Sequence, residues 1–210
     1  MKVTREQAAQ NRERIVDGAA RLFREKGFEG IGVADLMKSA GLTHGGFYGH
    51  FESKEALLAE AAGRALAGSE ERWRGLIDTH PDDALGAIAR AYLTPSHRDN
   101  PGIGCAFSAL GADVARAGPA VREVVTKRTD AALDLLAAAM GDGTHDERRR
   151  RAMVAYAAMI GALVMSRAVA DPVLSADILA AVAASLTAEP VSTLGSDPDM
   201  DTGSTAGSVT

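Results

Sequence analysis

Apolar residues near the start of the chain recur at the three-to-four spacing of a helix: Ile15, Ala19, Leu22 and Phe23 share one face, with charged residues between them. Thr4 and Gln7 fit a capping box at its beginning, and Gly27 is placed to end it. A second, shorter helix is predicted from about Val33 to Ala40, with Leu36, Met37 and Ala40 inward. Gly41 supplies a tight turn, and a third short helix follows within residues 43–54. In it Phe47 and Phe51 stand four apart and pack inward together, with Thr43 capping its start and Ser53 the start of the next helix. Its outer side is left with Thr43, His44, Gly45, Gly46, Tyr48, Gly49, His50 and Lys54.

Beyond Lys54 the pattern remains helical. Helices are predicted from Ser53 to about Leu76, Ala84 to Leu93, about Cys105 to Gly118, Ala120 to Met140, about Asp146 to Ala170, and Pro172 to Ala188. Pro81-Asp82-Asp83 restarts the chain after the first of these, and residues 94–104 read as a loop rich in helix breakers. Residues 153–165 are apolar nearly all round, so that helix must be covered on more than one side. Arg148 to Arg151 read as its solvated start.

Hydrophobic residues make up 46% of the 210 positions but aromatics only 4%, and alanine-rich runs abound. Such usage suits packed helices, and no alternating β-branched segment demands a strand. The expected fold is therefore all-α. An N-terminal three-helix unit (residues 1–52) precedes a larger helical domain (residues 53–189), and residues 190–210 form an acidic tail expected to be disordered. No stretch reads as long and apolar enough to cross a membrane, and the polar N-terminus does not read as a signal peptide. The single Cys excludes an intrachain disulfide and a cysteine-based zinc site, and makes a reducing cytoplasm the expected location.

Charge changes the picture. The net charge is -5, but residues 1–54 carry nine Lys or Arg against seven Asp or Glu, a local excess of +2. Lys2, Arg5, Arg12 and Arg14 crowd the start, where they can reach phosphates flanking a groove. Helix, helix, glycine turn and short helix is the helix-turn-helix arrangement, whose last helix enters the major groove. A surface of small residues, a hydroxyl, imidazoles and an ammonium suits phosphates and base edges.

Phe23, Gly27, Phe28, Leu36, Ala40, Gly41, Gly46-Phe47-Tyr48, His50-Phe51 and Ser53-Lys54-Glu55 together resemble the N-terminal domain of TetR-type transcriptional regulators. The resemblance implies a homodimeric helical repressor that binds a double-stranded operator and is released by a small molecule, with the last two helices forming the dimer's four-helix bundle. It implies that Tyr48, His50 and Lys54 bind phosphates while Thr43, His44 and the paired glycines approach bases. There are two departures: Gly32 stands where a capping Thr or Ser is usual, and Gly49 where a large DNA-touching residue is common. For Tyr48 the plainer alternative is a packing residue with a wet hydroxyl.

Cys105 is the sharpest candidate for sensing. It follows Gly102-Ile103-Gly104 at a predicted helix start, where free backbone N–H groups stabilise a thiolate, and His97 and Arg98 are close in sequence. Gly104-Cys105, Asp113-Val114 and Val121-Arg122 also resemble, more locally, the sensing helix of electrophile- and hypochlorite-responsive members of that family that control N-ethylmaleimide reductase. Such a sensor pairs its cysteine with a late lysine, whereas Lys127 is the only Lys after Lys54 here. The alternative for Cys105 is a small buried hydrophobe. Phe107, Tyr156, Met159, Leu110 and Met165 are candidate cavity residues or plain core.

No catalytic group, metal site or cofactor is expected. The histidine–carboxylate groupings His97/Asp99 and His145/Asp146 lack metal-ligand spacing, and no phosphate loop or nucleophile elbow is present. The reading is a cytoplasmic, homodimeric, ligand-responsive repressor with no membrane partner. Its rivals are a helical small-molecule-binding protein without DNA contact and, behind that, an enzyme.

Overall fold

The computed structural model describes residues 4–187, and every regular element among them is helical. The expected tail at 190–210 and Lys2 lie outside the described residues. Nine α-helices run as α1 (Arg5–Lys26), α2 (Val33–Ser39), α3 (Lys54–Thr79), α4 (Ala84–Tyr92), α5 (Pro95–Asp99), α6 (Ala106–Arg116), α7 (Pro119–Ala138), α8 (His145–Ala168) and α9 (Pro172–Thr187).

Local chemistry sets the boundaries. The Thr4 side chain accepts from the Gln7 amide at the start of α1, and Gly27 closes that helix at φ 76°, a left-handed conformation that a side chain would strain. Gly41 turns the chain after α2 at φ 71°. Gly32 caps α2 without any side-chain hydrogen bond, as its missing hydroxyl implies. Ser53 accepts from the Ala56 amide and starts α3. Thr144 and Glu147 make a reciprocal capping box that starts α8 one residue before the predicted Asp146.

Four expectations need correction. Residues 94–104 are not an open loop: Thr94 caps the one-turn helix α5, and Pro101–Ile103 forms a short 3-10 turn. Thr43 precedes the third short helix but makes no capping hydrogen bond. Arg149 is not merely solvated, because its guanidinium reaches Asp130 and Asp134 on α7 and ties α8 to it. Lastly, α8 does meet the length and hydropathy of a membrane span, with mean hydropathy 1.2 over its most apolar 18-residue window. Within this fold, however, it begins with charged residues and packs on α7 and α9.

Two apolar clusters organise the molecule. One joins Ile15, Phe23, Leu36, Met37, Phe47 and Phe51 to Leu57, Leu58, Leu110 and Val121, so the N-terminal unit shares its core with α3, α6 and α7. The other, around Trp73, Ile88, Leu136, Met159 and Leu163, lies within the later helices. Phe107 packs against both. Part of α8 and α9 stays bare: Val154 is 69% exposed, Met165 56% and Val173 66%, with Met153, Val164 and Leu174 also exposed.

Candidate nucleic-acid interface and effector cavity

The third short helix is a 3-10 helix, His44–Gly49, rather than an α-helix. It is anchored on one edge only. Phe47 is fully buried, its ring 5.7 Å from Phe51 and 5.3 Å edge-on from Tyr48. Tyr48 nevertheless remains 70% exposed, so its ring as well as its hydroxyl is presented outward. Thr43, His44, Gly45 and Gly49 are exposed, and His50 is half-buried against Phe51. A Cβ at Gly45 or Gly49 would meet nothing within 4 Å, whereas one at Gly46 would touch Met37 at 3.5 Å. Gly46 is exposed as well, so it belongs to the outer side while lying in ordinary contact distance of Met37.

The expected cations divide. Arg12 is engaged internally: its guanidinium forks onto Glu60 and lies 4.7 Å from the centre of the Phe51 ring. The carboxylate partner raises its pKa. Lys54 donates to the Phe28 carbonyl and sits 4.3 Å above the Phe28 ring. It is half-buried, and two of its three N–H donors are not used by that bond. Arg5, Arg14 and Lys38 are exposed and, among the described residues, have no carboxylate partner.

A cavity of about 320 Å³ lies between α3, α4 and the segment 94–105. Cys105 lines it, at the N-terminal boundary of α6 as predicted, but is buried at 3% exposure. His97 does not add positive charge beside it. The Cys105 amide donates to His97 Nε2 (2.8 Å) and His97 Nδ1 donates to the Tyr92 carbonyl (2.7 Å), which together fix a neutral ring. Burial, assisted by Arg167, Arg72 and Arg24, lowers the His97 pKa and keeps it neutral. Arg98 turns to Asp99 and Ser175. The positive groups of this region are instead Arg24, Arg72 and Arg167, on three different helices, which no local sequence signal marked. Arg167 donates to the carbonyls of His97 and Arg98 and to Ser108, binding α5 and α6 to α8.

The other predicted cavity residues do not line this cavity. The Tyr156 hydroxyl faces the thiol, and burial first, then Cys105, raises the Tyr156 pKa. Phe107 stacks edge-on to Tyr156 at 6.1 Å. Met159 is fully buried core, and Met165 is on the surface. Lys127 pairs with Glu123 on an exposed face of α7 and cannot serve as the cysteine's partner here. Tyr92 was not predicted; it lines the cavity, and its buried hydroxyl has no hydrogen-bond partner.

Besides the shared apolar core, polar contacts tie the N-terminal unit to the later helices: Arg24 of α1 donates to the Gly102 carbonyl, and the Phe28 amide donates to Asp113 (3.3 Å). Gly102 approaches α1 so closely that a Cβ would come within 2.4 Å of Glu25.

Two helices, a glycine turn and an exposed, singly anchored third segment, joined to a separate cavity-bearing helical domain, define a helix-turn-helix regulator. Residues 15–61 match the model of bacterial regulatory proteins of the tetR family. The chain is 26% identical over 166 residues to the HTH-type transcriptional repressor NemR of Escherichia coli, covering 74% of this chain and 83% of NemR. Its fold aligns with the crystal structure of reduced NemR at a TM-score of 0.70 and 25% identity, over 87% of this chain and 99% of that one. A TetR transcriptional regulator from Chloroflexus aurantiacus aligns at 0.70 and 26% identity, over 87% and 94%. Residues 15–61 thus form a tetR-type DNA-binding domain, and the chain as a whole is similar to TetR-type transcriptional regulators.

Proposed function

We propose that the protein is a homodimeric repressor of a palindromic operator, released when its second domain takes up a small molecule or when Cys105 is modified. The observation that carries the DNA reading is the pairing of a fully buried Phe47 with an adjacent Tyr48 that is 70% exposed. A rigid anchor beside an outward ring and hydroxyl is what a phosphate-positioning segment requires. Tyr48, His50 and Lys54 take phosphate oxygens, and Thr43, His44, Gly45, Gly46 and Gly49 form the close-approach surface. With few long side chains there, His44 reads bases and duplex shape supplies the remaining discrimination. The bare apolar face of α8 and α9 supports pairing of two copies, which places two reading segments on one side, spaced for half-sites about 34–36 Å apart. A DNA partner fits a cytoplasmic location.

Tyr48→Ala and Lys54→Ala are expected to weaken binding to the promoter region of the protein's own gene by about tenfold each without lowering the melting temperature. Fluorescence anisotropy across a salt series checks this. Lys54→Ala should also show a shallower dependence on salt, because one fewer counterion is released, whereas Tyr48→Ala removes no charge and should leave that slope unchanged. Unchanged affinity would remove those residues from the interface. An enzyme or a DNA-independent binding protein predicts no salt-dependent complex with either form.

NemR and this chain align across the cysteine-bearing domain, which supports a sensing role for Cys105 alongside Phe107 and Tyr156. Met159 acts there only as packing behind them. Without a neighbouring lysine, the modified state is an adduct, a sulfenic acid or an intersubunit bond. Cys105→Ser is expected to keep operator affinity within about twofold and to abolish release by N-ethylmaleimide or hypochlorite. Release of the serine protein by the same reagents would assign Cys105 to the core.

A further inference from the structure

The cavity beside Cys105 has a chemistry of its own. Its charged lining is a single guanidinium, Arg72, and no carboxylate lines it. Arg72 donates to the Ser69 hydroxyl (3.0 Å) and has no acidic partner among the described residues. A second guanidinium, Arg24, lies behind the wall at Gly102, whose carbonyl it binds, and Arg72 opposes its charge. Glu70, buried on the same helix as Arg72, lies between Arg74 and Arg128 and does not reach the cavity. Trp73, Leu76 and Tyr92 form the apolar wall, and the Tyr92 hydroxyl is buried in it without a partner.

We propose that this cavity binds a small organic anion, a carboxylate on an apolar body, with the carboxylate at Arg72 and the body between Trp73, Leu76 and Tyr92. A guanidinium lining the cavity with no carboxylate partner is a site that an anion can occupy. The buried Tyr92 hydroxyl has beside it only the Cys105 thiol, a weak partner, and can donate to a carboxylate oxygen instead. The volume, about 320 Å³, is at the lower end for small-molecule sites and admits a single-ring or medium-chain acid. His97 lines the same space as a neutral ring held by two backbone groups, so the charge recognition falls to arginine. That such an anion also releases DNA rests on the repressor reading; that it binds does not.

Trp73 is the only tryptophan of the chain and lines the cavity, so its emission reports occupancy in the full-length protein without DNA. Phenylacetate and octanoate are the probes, each titrated beside its neutral amide. Saturable change with at least one acid is expected, with the amide about tenfold weaker or more. Arg72→Met, at an exposed helix position, should leave the thermal melt unchanged and weaken the acid by a similar factor. Tyr92→Phe should leave the melting temperature nearly unchanged, since its hydroxyl has at most the weak Cys105 thiol beside it, yet weaken the acid. Equal binding of acid and amide, an indifferent Arg72→Met, or no saturation by either acid at millimolar concentration overturns the proposal. Loss of operator binding with these titrations intact would instead count against the repressor reading.

Discussion

Gly45→Glu is expected to lower operator affinity by about a hundredfold or more, close to 2.7 kcal/mol, while the protein melts as before. Nothing lies within 4 Å of a Cβ at this position, and Gly45 is not among the glycines held at positive φ. The substitution therefore asks nothing of the fold. At a groove surface it adds both bulk, where backbone must approach base edges, and a negative charge facing phosphates. Anisotropy with a promoter fragment, together with a circular dichroism melt, measures the two sides. A Glu variant that binds as tightly as the parent would place the interface elsewhere on the molecule.

Phe47→Ala is expected to have the largest effect on stability, about 3–5 kcal/mol, the range for truncating a fully buried aromatic ring. Its ring has no exposed surface, packs against Phe51 and belongs to the cluster that continues into Leu57 and Leu58 of α3. Removing it leaves a void beneath the reading segment, and DNA binding should fall with the fold. Urea denaturation followed by circular dichroism gives the difference. A loss below about 1 kcal/mol would show that the segment is seated by something other than this ring. With Gly45→Glu, the pair separates the outer edge of one short helix from its inner edge.

How far these features were legible depends on the range of the interactions that create them. The helix-turn-helix could be read because its determinants are local: Phe47 and Phe51 at one helical spacing, Gly27 and Gly41 at left-handed positions, Ser53 at a cap. Even there, spacing did not distinguish a 3-10 from an α-helix, since six residues satisfy either. Proline and glycine in residues 94–104 marked breaks, but α5 exists because Thr94 caps it and Arg167 from α8 binds its carbonyls. The cavity was the least legible. Cys105 announced itself at a helix start, whereas Arg24, Arg72 and Tyr92 converge from three helices and carry no mark of it in sequence. The same holds for Arg12, whose positive charge suggested phosphate before Glu60 was seen to occupy it.

At Gly102 the backbone lies so close to Glu25 and Arg21 of α1 that a methyl group could not be interposed. The next three residues, Ile103 to Cys105, are a wall of the cavity. A guest that pushes this wall outward thus acts on the first helix of the DNA-reading unit through these side chains and through the Arg24 bond to the Gly102 carbonyl. Thermodynamic reciprocity then applies in both directions: by whatever factor the guest loosens the protein's grip on its operator, the operator must loosen the protein's grip on the guest.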